Sequence, residues 1–127
     1  MPQCYSDSRG TLIPFDLKDL TFECKRIFIA DVHSEQTERG GHAHHVTEQF
    51  AICLEGKIDM YLTTKDGKQS VIQLEKGDSV HIPNMVWDKQ VYKTDDSKLL
   101  VMCSTEYNVD DYIVDYNKFT STNGVNN

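Results

Sequence analysis

The stretch RGGHAHHVTEQF, residues 39–50, indicates both the fold class and the site. On a β-strand, His42 and His44 lie two residues apart and point to the same face, whereas Ala43 between them faces the other way. Two neighbouring titratable rings are costly to bury unless both are hydrogen-bonded. A lone histidine would be explained by packing, but this pair, directly after two glycines, predicts a functional site inside a barrel.

The chain on both sides of this stretch has the pattern of short strands separated by turns. The segment IDMYL, residues 58–62, alternates apolar and polar side chains, which is typical of a strand with one buried face. Asp66-Gly67 after it tolerates the positive φ of a tight turn and predicts a hairpin. Further strands are predicted in SDSRGTLIPF (6–15), CKRIFIADV (24–32), EQFAICLEG (48–56), SVIQL (70–74), SVHIP (79–83), QVYKT (90–94) and KLLVMCS (98–104). The series predicts an all-β sandwich or barrel in a single domain, 1–127.

The C-terminal segment differs from the rest in its periodicity. It places Tyr112, Tyr116 and Phe119 at helical spacing, with Asn108 as the N-cap. We therefore predict a short helix whose aromatic face docks against the barrel. The last eight residues are small and polar, and we expect them to fray.

Composition and charge exclude several classes of function. The net charge of -7 disfavours nucleic acid and anionic membranes as partners, because both are polyanions. There is no run of 18 apolar residues, and the first ten residues lack the basic start and apolar stretch of a secretory signal. The expected location is cytoplasmic.

The four cysteines do not form a recognisable motif. They are widely spaced without a C-x-x-C pair, so neither a zinc ribbon nor a redox motif is indicated. Cys53 and Cys103 lie in apolar runs, where a free thiol serves as a small hydrophobe.

The spacing of His42, His44 and Glu48, followed by Gly56, resembles the first motif of the cupin superfamily, and the segment 77–88 resembles the second. Such a site supports two chemistries. The two histidines with Glu48 and Asp88 offer nitrogen and oxygen ligands to a divalent metal, as in a dioxygenase. Without a metal, the imidazoles serve as general acid and base. The spacing alone leaves both open, and a non-catalytic sugar-binding barrel is a third reading.

A closer resemblance favours the metal-free reading. RGGHAHH with TEQ, the DGK hairpin, IPNMVW and the C-terminal run of tyrosines resemble the sugar 3,4-ketoisomerases that act on thymidine-diphosphate-linked 4-keto-6-deoxyglucose, over residues 7–119. This resemblance implies a jelly-roll β-barrel of the cupin type with a short C-terminal helix, a homodimer without cofactor, and a role in deoxysugar synthesis for a surface polysaccharide such as lipopolysaccharide. His42 and His44 occupy the positions of the family's two important histidines.

Six further residues are our candidates for substrate binding. Arg26 and Arg39 suit a diphosphate or an enediolate, because a guanidinium matches phosphate oxygens. The remaining four candidates are Glu48, Tyr61, Trp87 and Asp88.

The chain also departs from the family. Asp88 stands where relatives carry a histidine, and Phe28 stands where they carry a tyrosine, so a phenolic donor must come from elsewhere, for which Tyr61 is our candidate. His45 is expected on the surface because strand alternation turns it away from the pair. The sequence leaves three points open. They are the stereochemistry of the product at C4, the nucleobase of the substrate, and which of the two histidines removes the proton.

Overall fold

The computed structural model describes residues 3–121, so most of the tail that we expected to fray lies outside the described residues. Eleven strands, two 3-10 turns and one helix are described in this range. They are β1 (Tyr5–Asp7), β2 (Gly10–Leu12), a 3-10 turn (Leu17–Asp19), β3 (Arg26–Asp31), β4 (Thr37–His44), β5 (Gln49–Glu55), β6 (Lys57–Thr63), β7 (Gln69–Glu75), β8 (Ser79–Ile82), β9 (Trp87–Tyr92), β10 (Lys98–Cys103), a 3-10 turn (Val109–Asp111), β11 (Tyr112–Ile113) and α1 (Tyr116–Ser121).

The strands form two antiparallel sheets and a separate hairpin. One sheet has the order β3-β10-β5-β8, the other has the order β11-β4-β9-β6-β7, and β1 pairs with β2 alone. The inward faces of both sheets supply one apolar core, whose fully buried members include Ile58, Met60, Tyr92 and Leu99. The predicted all-β series is therefore confirmed, except that the segment 6–15, predicted as one strand, contains the hairpin of β1 and β2 instead.

The alternation predicted for residues 58–62 is confirmed in β6. Ile58, Met60 and Leu62 belong to the core, whereas Tyr61 lies on the opposite face beside Lys89. The hairpin that follows is also confirmed. Gly67 adopts φ +87° and its N–H donates to the carbonyl of Thr64 at 2.9 Å.

The C-terminal helix is shorter than predicted. Asn108 caps a 3-10 turn, since its side chain accepts from the N–H of Asp110, and the helix begins only at Tyr116. Between them, Tyr112 pairs with His44 as part of β11. Our prediction that Tyr112 shares a helical face with Tyr116 and Phe119 was wrong, because the free edge of β4 takes this segment as a strand. The docking itself is confirmed, since Phe119 is fully buried.

Close backbone packing places β4 against β9. The register shifts between Gly40 and His42, and His42 lies opposite Asp88. Gly40 has φ +82°, and a Cβ atom there would come within 2.8 Å of the Asp88 Oδ1 atom. A glycine is therefore required for His42 and Asp88 to face each other.

The four cysteines are free, including Cys53 and Cys103, for which free thiols were predicted. Cys53 and Cys103 are buried, and burial raises the pKa of the Cys53 thiol to about 12. Both therefore act as small hydrophobes. Among residues 3–121 no helix has the length and apolar character needed to span a membrane.

Candidate active site

The two histidines of β4 lie side by side, as the sequence predicts. Their ring centroids are 5.0 Å apart in an edge-to-face arrangement. His44 is buried, with 4% of its surface exposed, whereas the side chain of His42 is 22% exposed. Ala43 faces the other way and packs against Ile113 and Phe119. His42 therefore offers its ring to a ligand, and His44 supports it from behind.

Tyr112 completes the group and was missed by the sequence analysis. Its ring centroid lies 5.1 Å from His42 and 4.4 Å from His44. Tyr61, our candidate for the phenolic donor, lies on the opposite face of the sheet under Lys89. The phenol next to the imidazoles is that of Tyr112. Its signal in the sequence was the strand-like Tyr-Ile-Val run, which the helical spacing of the aromatic residues obscured.

The surroundings of His44 keep its ring neutral. Burial, the neighbouring His42 and, to a smaller extent, the Arg26 guanidinium together lower the pKa of His44 to about 4, although the Asp111 carboxylate acts in the opposite direction. A neutral imidazole at pH 7 retains one lone pair and one N–H group. His44 can therefore accept a proton or donate a hydrogen bond.

Asp88 faces His42 from the neighbouring strand. The Asp88 Oδ2 atom lies 3.8 Å from His42 Nε2, and the side chain of Asp88 is only 1% exposed. Its other oxygen, Oδ1, accepts a hydrogen bond from Gln90 Nε2 at 2.8 Å. Burial raises the pKa of Asp88. The carboxylate of Asp88 therefore contacts His42 and exposes almost no surface, and its assignment to substrate binding stays a prediction.

The two candidate arginines lie at different places around the pair. Arg26 on β3 stacks over Phe28 at 4.9 Å and over Tyr107 at 5.2 Å from the ring centroids. Tyr107 in turn lies 5.8 Å from Tyr112, so aromatic contacts connect Arg26 to the histidines. Arg39 is exposed on β4, and its Nε atom donates to the carbonyl of Asp31 at 3.1 Å.

Two other candidates are not brought to the histidines. The Glu48 carboxylate contacts His81 Nε2 at 2.9 Å on the outer face of the four-stranded sheet. Trp87 lies on the outer face of the other sheet, 5.2 Å from Tyr116. The sequence spacing could not reveal the positions of Glu48 and Trp87, because it does not show which face of its sheet either side chain will occupy.

The four side chains that the metal-dependent interpretation requires, His42, His44, Glu48 and Asp88, therefore do not come together at one point. Glu48 lies away from His42 and Asp88. Within the described range no group of three or more His, Cys, Asp or Glu side chains is placed to hold a metal ion. The third imidazole, His45, is exposed, as expected. The arrangement that remains is a pair of histidines with a phenol and a carboxylate, which suits proton transfer.

Comparison with known proteins agrees with this geometry. Residues 1–124 match the FdtA family (WxcM-like, C-terminal). A curated TDP-4-oxo-6-deoxy-alpha-D-glucose-3,4-oxoisomerase from Aneurinibacillus thermoaerophilus is 30% identical over 115 residues, which cover 89% of this chain and 82% of that protein.

Solved structures of similar proteins share the fold. The sugar 3,4-ketoisomerase QdtA from Thermoanaerobacterium thermosaccharolyticum, in complex with TDP, superposes with a TM-score of 0.85 at 28% identity, covering 95% of this chain and 89% of that one. A 3,4-ketoisomerase from Helicobacter canadensis gives 0.84 at 31% identity, covering 95% and 92%. The predicted all-β barrel of the cupin type, with its short C-terminal helix, is confirmed.

Proposed function

Because this chain belongs to the FdtA family (WxcM-like, C-terminal), we propose that it is a nucleotide-sugar 3,4-ketoisomerase that moves the ketone of dTDP-4-keto-6-deoxyglucose from C4 to C3. The observation that carries the proposal is the inward group of His42, His44 and Tyr112, with ring centroids 4.4 to 5.1 Å apart. The oxoisomerase of Aneurinibacillus is named for this sugar, and one QdtA variant was solved with TDP-4-keto-6-deoxyglucose.

The reaction needs only proton transfers. A base removes the C3 proton, and the electrons of that bond form a C3–C4 double bond while the C4 oxygen becomes a hydroxyl. The resulting enediol then loses the proton of its C3 hydroxyl, the ketone forms at C3, and C4 receives a proton. His42 is the more exposed imidazole and meets the reacting carbons in our proposal, whereas neutral His44 holds an oxygen or relays a proton.

Arg26 and Arg39 are our candidates for the diphosphate. Arg26 is stacked between aromatic rings near the histidines, and Arg39 extends from the same strand as His42 and donates a hydrogen bond to the backbone carbonyl of Asp31. Guanidinium groups bind phosphate oxygens with paired hydrogen bonds. The binding of TDP by QdtA is consistent with this assignment.

Turnover tests the proposal directly. We expect the purified protein to convert dTDP-4-keto-6-deoxyglucose and to leave dTDP-glucose unchanged, because only the first has a ketone that acidifies the neighbouring C–H. Activity should persist in EDTA, since we assign no step to a metal or cofactor. Binding without conversion would favour the sugar-binding reading, and loss of activity in EDTA would favour the metal-dependent one.

Tyr112 supplies the phenolic donor in this proposal. Replacing Tyr112 by phenylalanine keeps the ring contacts with both histidines and removes one hydrogen bond to the developing oxyanion. We expect kcat to fall about tenfold, the worth of one hydrogen bond, with KM little changed. Tyr116→Phe is the matched control, because Tyr116 contacts Trp87 on the outer face. Equal kcat values for Tyr112→Phe and the control would remove Tyr112 from the mechanism.

We also propose a homodimer formed through the four-stranded sheet. Its edge strand β3 presents Ile27 and Ile29, which are 55% and 58% exposed, beside an apolar outer face that continues over Leu100. Burying such a face against a second copy is favourable. Light scattering should give twice the 14.6 kDa mass of the chain.

A paired substitution tests this surface. Ile29→Lys should shift the mass toward one chain, whereas Val71→Lys, on the edge strand of the other sheet, should not. A wild-type mass of one chain at micromolar concentration would contradict the dimer.

We further propose a cytoplasmic location, since four free thiols fit a reducing compartment.

A further inference from the structure

We propose that Asp88 is a positioning residue: it fixes the ring of His42 with Nε2–H directed at its carboxylate and balances the positive charge that His42 gains on taking the substrate proton. The inference rests on the proposed function and deepens it by assigning a partner to the acid–base group.

The first observation is an unsatisfied buried atom. Across residues 3–121, Asp88 Oδ2 is the buried side-chain polar atom that lacks a hydrogen-bond partner. A buried carboxylate oxygen without a partner is costly, and native structures keep very few of them. The imidazole of His42 faces this oxygen, with its Nε2 atom 3.8 Å away. This distance permits an ion pair, but it exceeds the usual donor–acceptor distance of a hydrogen bond by nearly 1 Å.

The second observation is that the rest of the carboxylate is held in place. Gln90 Nε2 donates to Oδ1, and Gln90 Oε1 in turn accepts from the Tyr92 hydroxyl at 2.7 Å. Gly40 leaves the space that the carboxylate occupies, because a Cβ atom there would come within 2.8 Å of Oδ1. A fixed Oδ1 aims Oδ2 at His42. Hydrogen bonds at a site without substrate are often long and shorten when the reacting complex forms.

The charged and titratable groups around the pair come from several strands. His44 on β4 and Tyr112 on β11 pack against the His42 ring. Arg39 lies near Tyr92, while Arg26 and Asp111 act on His44. Asp111 is therefore a second acidic group near the pair, but it acts on His44, whereas Asp88 is the carboxylate that faces His42.

This placement has a kinetic consequence. When His42 is neutral, the carboxylate accepts from Nε2–H and leaves the Nδ1 lone pair for the substrate. When His42 takes the C3 proton, an ion pair forms that did not exist in the ground state. An interaction that becomes stronger as the reaction proceeds raises kcat more than it affects substrate affinity.

Asp88→Asn tests the proposal because it keeps the shape and the bond from Gln90 to Oδ1. The amide then places its NH2 group opposite His42 Nε2, a donor where the carboxylate accepted. We expect kcat to fall on the order of 30-fold with KM within about twofold, since losing one partner of a buried charge pair has effects of this size. The melting temperature should not fall. Asp59→Asn, another buried carboxylate that pairs with Lys93, is the control and should keep wild-type kinetics.

A second readout does not depend on turnover. Long-range proton–nitrogen NMR of the histidine rings reports which nitrogen carries the proton at neutral pH. We expect Nε2–H for His42 in the wild type and Nδ1–H in Asp88→Asn. An unchanged tautomer, or unchanged kcat in Asp88→Asn, would overturn the positioning role. If the wild type does not isomerise the keto-sugar, the proposed function fails, but the tautomer measurement still tests the role of Asp88. The failure of this inference is therefore distinguishable from the failure of the proposed function.

Discussion

Replacing His42 or His44 by asparagine is expected to lower kcat by on the order of 10² or more, the usual worth of a positioned acid or base. Asparagine keeps a hydrogen-bonding group of similar size at each position but cannot take up a proton. The fold and the affinity for the nucleotide sugar should change little, because neither ring belongs to the apolar core. Steady-state kinetics with the keto-sugar will measure the loss.

Solvent exchange separates the two roles. In deuterated water, we will follow loss of the C3 proton alongside product formation. A variant that exchanges C3 without forming product has lost reprotonation at C4, and a variant that does neither has lost the base. We expect His42→Asn to do neither. His45→Asn is the matched control, since His45 lies on the same chain segment and is exposed. Wild-type exchange and turnover in both His42→Asn and His44→Asn would place the site elsewhere.

The stability of the protein is expected to fall in acid because of His44. The pKa of His44 is about 4 in the folded protein, against the 6.5 usual for a histidine in an unfolded chain, so the unfolded chain binds the proton first as the pH falls. The free energy of unfolding therefore decreases between pH 6.5 and pH 4, and the His44 contribution amounts to at most about 3 kcal/mol over this range. Above pH 6.5 this contribution is constant.

Urea denaturation at a series of pH values will isolate the effect. Carboxylates also titrate in this range, so the quantity to compare is the difference between the wild type and His44→Asn at each pH. That difference should change by up to about 3 kcal/mol from pH 7 to pH 4, in the direction that favours the variant in acid. His45→Asn should run parallel to the wild type. A difference that does not depend on pH would show that His44 is not buried as described.

The parts of the site that the sequence predicted are those with local signals. His42 and His44 are two residues apart on one strand, so strand geometry places both on the same face without knowledge of the rest of the chain. The alternation in residues 58–62 and the Asp66-Gly67 turn are equally local, and both were confirmed.

The residues that were misplaced depend on contacts distant in sequence. Tyr112 reaches the histidines because the two-residue strand β11 pairs with β4, 68 positions earlier, and its aromatic spacing suggested a helix instead. Glu48 follows a motif spacing, but the turn after β4 directs it to the outer face, toward His81. The burial of Asp88 follows from the β4–β9 register, which no short pattern in the sequence specifies.

The most direct test of the account is the position of the carbonyl carbon after reaction. The wild-type protein, incubated in deuterated water with dTDP-4-keto-6-deoxyglucose labelled with carbon-13 at C4, should convert the labelled ketone into a labelled carbinol carbon bearing deuterium. A new ketone signal should appear at unlabelled C3. This result follows from proton removal at C3 and delivery at C4 by the histidine pair. A label that remains a ketone after prolonged incubation with folded protein would contradict the account.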